Sequence, residues 1–226
     1  LPRQQTLQAT LDWSYDLLSE SERVLLRRLS VFAGGWTLEA AEYVCASHDV
    51  VEANRVLARN DILDLLTRLV DKSLVVLDEQ AEEMRYHMLE TIRQYAHEKL
   101  KDATEHGELR DQHMRFFAQL AEHTRPSLET AQRTASLPRL ESEHDNLRAA
   151  LGWAVERDIE IARWMAGILE RFWFFGDHLT EAQTWYARVL YAGERTPITR
   201  GLALALLSSG VVSINLGCLD ETQVLL

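Results

Sequence analysis

The stretch LVVLDEQAEEMRYHMLETIRQYAHEKL, residues 74–100, decides the fold of the first half of the chain. It opens with the apolar, partly β-branched run LVVL, and after an acidic segment Met84, Tyr86 and Met88 alternate with polar residues, as in a half-buried strand. From Glu90 onward the apolar residues recur at helical spacing. The stretch therefore predicts a β-hairpin that leads directly into a helix.

Four helical patterns precede this hairpin. The first covers residues 6–18, and Ser19 with Glu22 forms a capping-box pattern that opens the second. Gly34 and Gly35 end the second helix, and Thr37 is the expected N-cap of the third. The fourth runs from Ile62 to Val70. Inward positions are expected for Trp13 and Leu17, and outward positions for Arg23, Arg27 and Arg28. Helices followed by a hairpin and a last helix predict a winged-helix domain over residues 1–103.

Residues 104–226 read as successive helices with short polar breaks, and Pro126 and Pro138 bracket a less regular piece. The segment FFGDHLTEAQTWYARVL (174–190) aligns with NLGCLDETQVLL (215–226). A period of about 40 residues is typical of helix-turn-helix repeats of the tetratricopeptide type. We therefore predict a mainly α fold, with a winged-helix domain and its small β-hairpin followed by an α-α superhelical, tetratricopeptide-like repeat domain.

The charge pattern argues against DNA contact by the winged-helix domain. The chain has a net charge of −11, and both halves share the acidic excess. Asp61 and Asp64 occupy the start of the fourth helix, and the hairpin tip carries further carboxylates. These are Asp78, Glu79, Glu82 and Glu83. Carboxylates close to phosphates repel them. The sequence therefore predicts no direct nucleic-acid binding.

Other features point to a non-enzymatic cytoplasmic protein with no membrane segment. The N-terminus has no apolar signal core, and the longest apolar run, 201–216, is interrupted by polar residues. Cys45 and Cys218 lack paired spacing, which favours two reduced thiols. The chain lacks an initiator Met and ends inside an amphipathic pattern, so we expect a fragment of a longer protein.

Candidate catalytic and metal sites are sparse. His144 has acidic neighbours, Glu141, Glu143 and Asp145, but helical geometry is expected to point them around the helix and away from a common centre. Three other histidines of this half, His106, His113 and His123, lack the i, i+4 spacing of a helical metal pair. We therefore predict no metal ligands, no catalytic residues and no enzymatic activity.

An aromatic cluster lies between residues 164 and 186. Trp164, Phe172 and Phe175 fall on one helical stripe and are expected to pack between repeats. Trp173 lies off that stripe, so it is the candidate for a concave surface that binds a ligand or a partner.

Three stretches carry a resemblance to a known family. Residues 6–45, LLTRLVDKSLVV (65–76) and YHMLETIRQYAHEKL (86–100) resemble bacterial signal-transduction ATPases with numerous domains, the LuxR-type or maltose-activator-like transcriptional regulators. The resemblance implies a P-loop NTPase upstream, with ATP or ADP bound in the full-length protein, and a DNA-binding domain elsewhere. The chain has no G-x-x-x-x-G-K-[ST] motif. No cofactor is therefore expected within it.

In relatives of this family, a Met-His-Asp motif at the same junction contacts ADP. The resemblance places Met88, Leu89 and Glu90 on those three positions, so they are the candidate cofactor-binding residues. Leu89 departs from the pattern, because its side chain cannot hydrogen-bond a phosphate.

Together these observations predict a regulatory hinge. The winged-helix domain would couple a ligand- or partner-sensing helical-repeat arm to the protein's own upstream NTPase domain. The expected partners are that domain and an inducer or protein on the repeats. The alternative function is a DNA-binding winged-helix domain with a helical dimerisation arm.

Overall fold

The computed structural model describes residues 2–47, 57–78, 84–191 and 197–217, with side chains from residue 8 onward. The fold is mainly α-helical, as predicted, with a small three-stranded sheet that contains the predicted hairpin. The chain divides into two compact units, Leu1–Phe116 and Phe117–Leu226. No described helix is long and apolar enough to cross a bilayer.

The first unit contains the winged-helix domain. Its elements are α1 (Pro2–Asp16), α2 (Glu20–Leu29), β1 (Gly35–Thr37), α3 (Leu38–Cys45), a 3-10 turn (Arg59–Asp61), α4 (Ile62–Asp71), β2 (Val76–Asp78), β3 (Arg85–His87) and α5 (Glu90–Lys101). The predicted capping box is confirmed, because Ser19 accepts from the Glu22 amide and Glu22 accepts from the Ser19 amide. Thr37 caps α3 as predicted.

The sheet contains one strand that the sequence did not predict. Strand β1 pairs antiparallel with β3, which also pairs antiparallel with β2, so the order is β1-β3-β2. Trp36 lies opposite Tyr86 and is buried against Phe32, with ring centroids 5.4 Å apart. The strand has only three residues and merges into the cap of α3, so it leaves little periodic signal in the sequence.

Some inward and outward assignments in the first unit were wrong. Trp13 and Leu17 are exposed, although their spacing predicted that they would widen the apolar stripe of α1. Arg27 and Arg28 are buried, although they were expected to face water. The buried arginines have a partner in Glu105, which is distant in sequence, so local periodicity could not reveal it.

The division between the units lies within α6 (His106–Leu128), beyond the predicted boundary at 103/104. Contacts from the start of this helix explain the difference. Glu105 bonds the two buried arginines of α2, and the His113 ring meets Phe32. Phe116 packs against Tyr43. The first half of α6 therefore belongs to the packing of the first unit.

The second unit continues with short helices. They are α7 (Arg133–Ser142), α8 (His144–Arg157), α9 (Ile159–Ile168), α10 (Glu170–Phe175), α11 (Leu179–Tyr191) and α12 (Arg200–Asn215). Pro126 and Pro138 lie inside helices α6 and α7, so the irregular piece predicted between them is shorter than expected and is confined to residues 129–132. The single helical stripe predicted through Trp164, Phe172 and Phe175 is divided between two helices, α9 and α10, that meet at Leu169. Most of the second repeat copy, 215–226, lies outside the described residues.

Candidate DNA and partner interface

Helix α4 presents the most extended candidate interface of the winged-helix domain. Its apolar side, which includes Ile62, Leu66 and Leu69, is buried as predicted. Its opposite side faces solvent. The exposed residues are Asp61, Leu63, Asp64, Thr67, Arg68, Asp71 and Lys72. The helix therefore offers one polar face of mixed charge to a partner.

Two of the cations beside this face form ion pairs with acidic residues of the same domain. Arg59 Nε lies 2.9 Å from Glu42 Oε2, and Lys72 Nζ lies 2.6 Å from the buried Glu22 carboxylate. Burial alone would raise the pKa of Glu22, but hydrogen bonds from Lys72 and Ser19 hold it below its ordinary value. Asp78 is exposed at the end of β2, and the predicted acidic residues Glu79, Glu82 and Glu83 lie outside the described residues.

The three candidate cofactor positions lie where β3 leads into α5. Met88 is buried in the core, whereas Leu89 is 55% exposed and occupies the N-cap of α5 without a side-chain cap. Glu90 is exposed and accepts two hydrogen bonds from Arg93. Those bonds lower the pKa of Glu90 to about 2. The role of these residues in nucleotide contact stays a prediction.

Trp173 lies in the core of the second unit and not on an open surface as its sequence position suggested. It is 1% exposed, and its ring meets Tyr186 edge-on at 5.6 Å between centroids. Helix α10 begins anew after Leu169, so the stripe drawn through a continuous helix does not apply. A ligand contact of Trp173 stays a prediction.

The histidines fall into different environments. His113 is buried against Phe32, and His123 is exposed with Nδ1 2.7 Å from the Gln119 carbonyl of its own helix. Burial lowers the pKa of His97 to about 4, next to the His106 ring. Sequence reasoning missed one convergence, in which His178 from the turn before α11 joins Glu141 and His144. His178 is too distant in sequence from Glu141 and His144 for the three residues to appear as a motif.

Comparison with known proteins gives one domain match and several relatives. The family model of the winged helix-turn-helix domain matches residues 18–101. A Mycobacterium bovis protein provisionally named an HTH-type transcriptional regulator is 42% identical over 190 residues, which are 83% of this chain and 20% of that protein. A similarly named protein of Mycobacterium tuberculosis strain H37Rv has the same identity and coverage. An uncharacterized M. tuberculosis protein is 43% identical over 102 residues, 45% of this chain and 24% of its own length.

The chain spans about one fifth of the length of the named regulators that it matches. No solved structure matches the chain significantly. The chain contains a winged-helix domain and is homologous, over most of its length, to proteins that carry the name of HTH-type regulators.

Proposed function

We propose that the chain is a segment of a transcriptional regulator and that its winged-helix domain contacts DNA. One observation carries the proposal: α4 packs one side on the core and leaves its whole opposite side in solvent. In helix-turn-helix proteins the second helix of the motif enters the major groove. Here α3 and α4 are followed by the β2–β3 hairpin, which is the position of the wing. The domain match and the names of the relatives support the same function.

The charges of this face limit the strength of the contact. Among the described residues, Arg59, Arg68 and Lys72 are the cations on or beside α4, and two of them already pair with acids. Because each phosphate contact contributes about −0.9 to the slope of log K against log salt, this face accounts for a slope no steeper than about −3. Strong binding therefore requires a second DNA contact in the longer protein or in a second copy.

Fluorescence anisotropy with a mixed-sequence DNA duplex tests this proposal. The purified chain is titrated at low and moderate salt. We expect weak, salt-dependent binding that falls with Arg68→Ala and rises with Asp64→Lys, because the first change removes a cation and the second reverses a repulsive charge. Arg200→Ala, at the start of α12 in the second unit, is the matched control and leaves binding unchanged. Equal binding by all four proteins would refute a contact through α4.

A second candidate function rests on the acidic residues of the same face. Asp61, Asp64 and Asp71 are all exposed on α4, and they suit a protein surface with basic groups better than a phosphate backbone. Together with the family resemblance, this supports a docking hinge between an upstream NTPase and the helical arm.

The hinge makes a different prediction in the longer protein. Asp64→Lys would change the ratio of bound ADP to ATP, measured by chromatography of the released nucleotides, whereas Arg200→Ala would not. A protein that carries no nucleotide, or one whose ratio Asp64→Lys leaves unchanged, would rule out the hinge.

A further inference from the structure

Two imidazoles and a carboxylate converge at one end of the second unit. Glu141 lies in the last turn of α7, His144 is the first residue of α8, and His178 lies in the turn before α11. Nε2 of His178 is 3.0 Å from both carboxylate oxygens of Glu141. Nδ1 of His144 is 4.0 Å from Glu141 Oε2. The two imidazole ring centroids are 4.3 Å apart.

We propose that Glu141, His144 and His178 form a binding site for a divalent transition metal ion of the zinc class. Two donor atoms that share one zinc ion at bond lengths of about 2.1 Å lie at most about 4.2 Å apart. One donor atom from each of the three residues already lies within 4.8 Å of the others. At the tetrahedral angle the donor atoms lie about 3.4 Å apart, so side-chain adjustments on the order of 1 Å close the site.

The donor set selects the class of metal. Imidazole nitrogen suits Zn²⁺, Ni²⁺ and Cu²⁺, whereas Mg²⁺ and Ca²⁺ prefer oxygen ligands. Two histidines and one carboxylate supply three of the four positions of a tetrahedral zinc ion, which leaves one for water. Glu141 and His178 are partly exposed, so an ion and this water reach the site from solvent.

The surroundings of His144 resemble those of a metal-binding histidine whose ring is oriented by a second carboxylate. Its Nε2 is buried without an aligned hydrogen bond, yet it lies 2.9 Å from Glu181 Oε2. Glu181 is fixed by two hydrogen bonds from Arg148 and one from Trp185. A carboxylate behind an imidazole is the common outer partner of metal-bound histidine, because it orients the ring and its tautomer. A small rotation of the His144 ring would align this bond while Nδ1 faces the ion.

The turn that carries His178 is shaped around the cluster. A Cβ atom at Gly176 would overlap the Glu141 carboxylate and approach the His178 ring, so only glycine fits without displacing them. Phe172 contacts both imidazoles and forms an apolar wall, with centroids 5.0 Å from His144 and 5.4 Å from His178. Glu143 bonds Asn146, and Asp145 bonds Arg148. These two acids therefore turn away from the site, as predicted, whereas Glu141, which was expected to point away as well, converges with the two histidines. An ion here would join α7, α8 and the start of α11.

Metal titration of the tag-free chain tests this proposal. Calorimetry with Zn²⁺ and visible absorption with Co²⁺ should show one site per chain, with the bands of tetrahedral Co²⁺. His178→Gln should weaken Zn²⁺ binding at least about tenfold. If His178→Gln does not fold, Glu141→Gln replaces it, because Glu141 is partly exposed and its substitution should disturb the packing little. His123→Gln, an exposed histidine of α6, is the matched control and should bind as the parent does. Absent binding, octahedral Co²⁺ bands, or equal affinity in the parent and in a folded site variant would overturn the site.

Discussion

At the scale of single residues, the pairing of Glu105 with Arg27 and Arg28 is the main electrostatic feature of the first unit. Arg27 Nε and Arg28 Nη2 lie 2.8 and 2.7 Å from the two carboxylate oxygens, and the three side chains are almost fully buried. Arg28 also donates to the Cys45 carbonyl, 2.7 Å away. The Glu105 carboxylate thus joins α2 to the start of α6. Its removal leaves two buried guanidinium groups without their negatively charged partner.

Glu105→Gln should therefore lower the free energy of unfolding by about 3 kcal/mol, the range expected when one partner of a buried ion pair is removed. Urea unfolding followed by circular dichroism measures the change. Glu108→Gln, an exposed acid on the same helix, is the matched control and should change stability little. An equal effect of both substitutions would contradict the importance of the buried pairing.

The same pairing predicts a dependence on pH. Burial alone would raise the pKa of Glu105, but hydrogen bonds from Arg28 and Arg27 hold it below its ordinary value. A lowered folded pKa gives stability that is present above the unfolded value of about 4.3 and is lost as pH falls through the folded pKa. The stability difference between the parent and Glu105→Gln should therefore be largest near neutral pH and shrink in acid. A difference that is constant from neutral to acidic pH would contradict this pairing.

Substitution of Leu89 is expected to raise the free energy of unfolding. It occupies the N-cap of α5 with an extended backbone and no side-chain cap, and its side chain is mostly exposed. Leu89→Ser should stabilise the domain by about 1 kcal/mol, because a serine hydroxyl can accept from the first amides of the helix. Leu17→Ser, at an exposed leucine that is not an N-cap, is the control in the same unfolding assay. Equal stability of Leu89→Ser and the parent would show that α5 is capped by other means.

At the scale of elements, long periodic helices were predictable and short or abutting ones were not. Helices α4 and α5 form where the apolar spacing predicted them, because each keeps one apolar face over several turns. The break at Leu169 escaped prediction, because α9 and α10 abut without a proline or a polar linker, and Gly167, two residues before the junction, is still helical. The metal-ligand convergence escaped as well, because it joins a helix end to a remote turn.

Strand β1 makes its own contribution to the core through Trp36. The indole is fully buried against Phe32, yet its Nε1 has no hydrogen-bond partner among the residues that the structure describes. Trp36→Ala should cost about 3–5 kcal/mol through the cavity it leaves. Trp36→Phe should cost much less, because it keeps an aromatic ring and removes a buried donor that no described residue satisfies. Equal losses measured by urea unfolding would show that the indole nitrogen has a partner.

At the scale of the whole molecule, the division of the chain by packing lies beyond the boundary that the sequence predicted. The winged-helix match ends at residue 101, and periodicity alone placed the boundary at 103/104. The packing of the first unit extends to Phe116, because Glu105, His113 and Phe116 all contact residues from α2 to α3. Sequence patterns locate helices, whereas domain limits depend on which remote side chains those helices meet.

The boundary can be tested with two fragments, residues 1–116 and residues 1–103. We expect the longer fragment to be more stable by about 3 kcal/mol or more, because the shorter one leaves Arg27 and Arg28 without their buried carboxylate and removes the aromatic contacts of His113 and Phe116. Fragment 1–116 with Glu105→Gln separates the two contributions, since it loses the ion pairs and keeps the rings. Urea unfolding of the three proteins measures the differences. Equal stability of 1–103 and 1–116 would place the end of the winged-helix unit at the sequence boundary, before α6 begins.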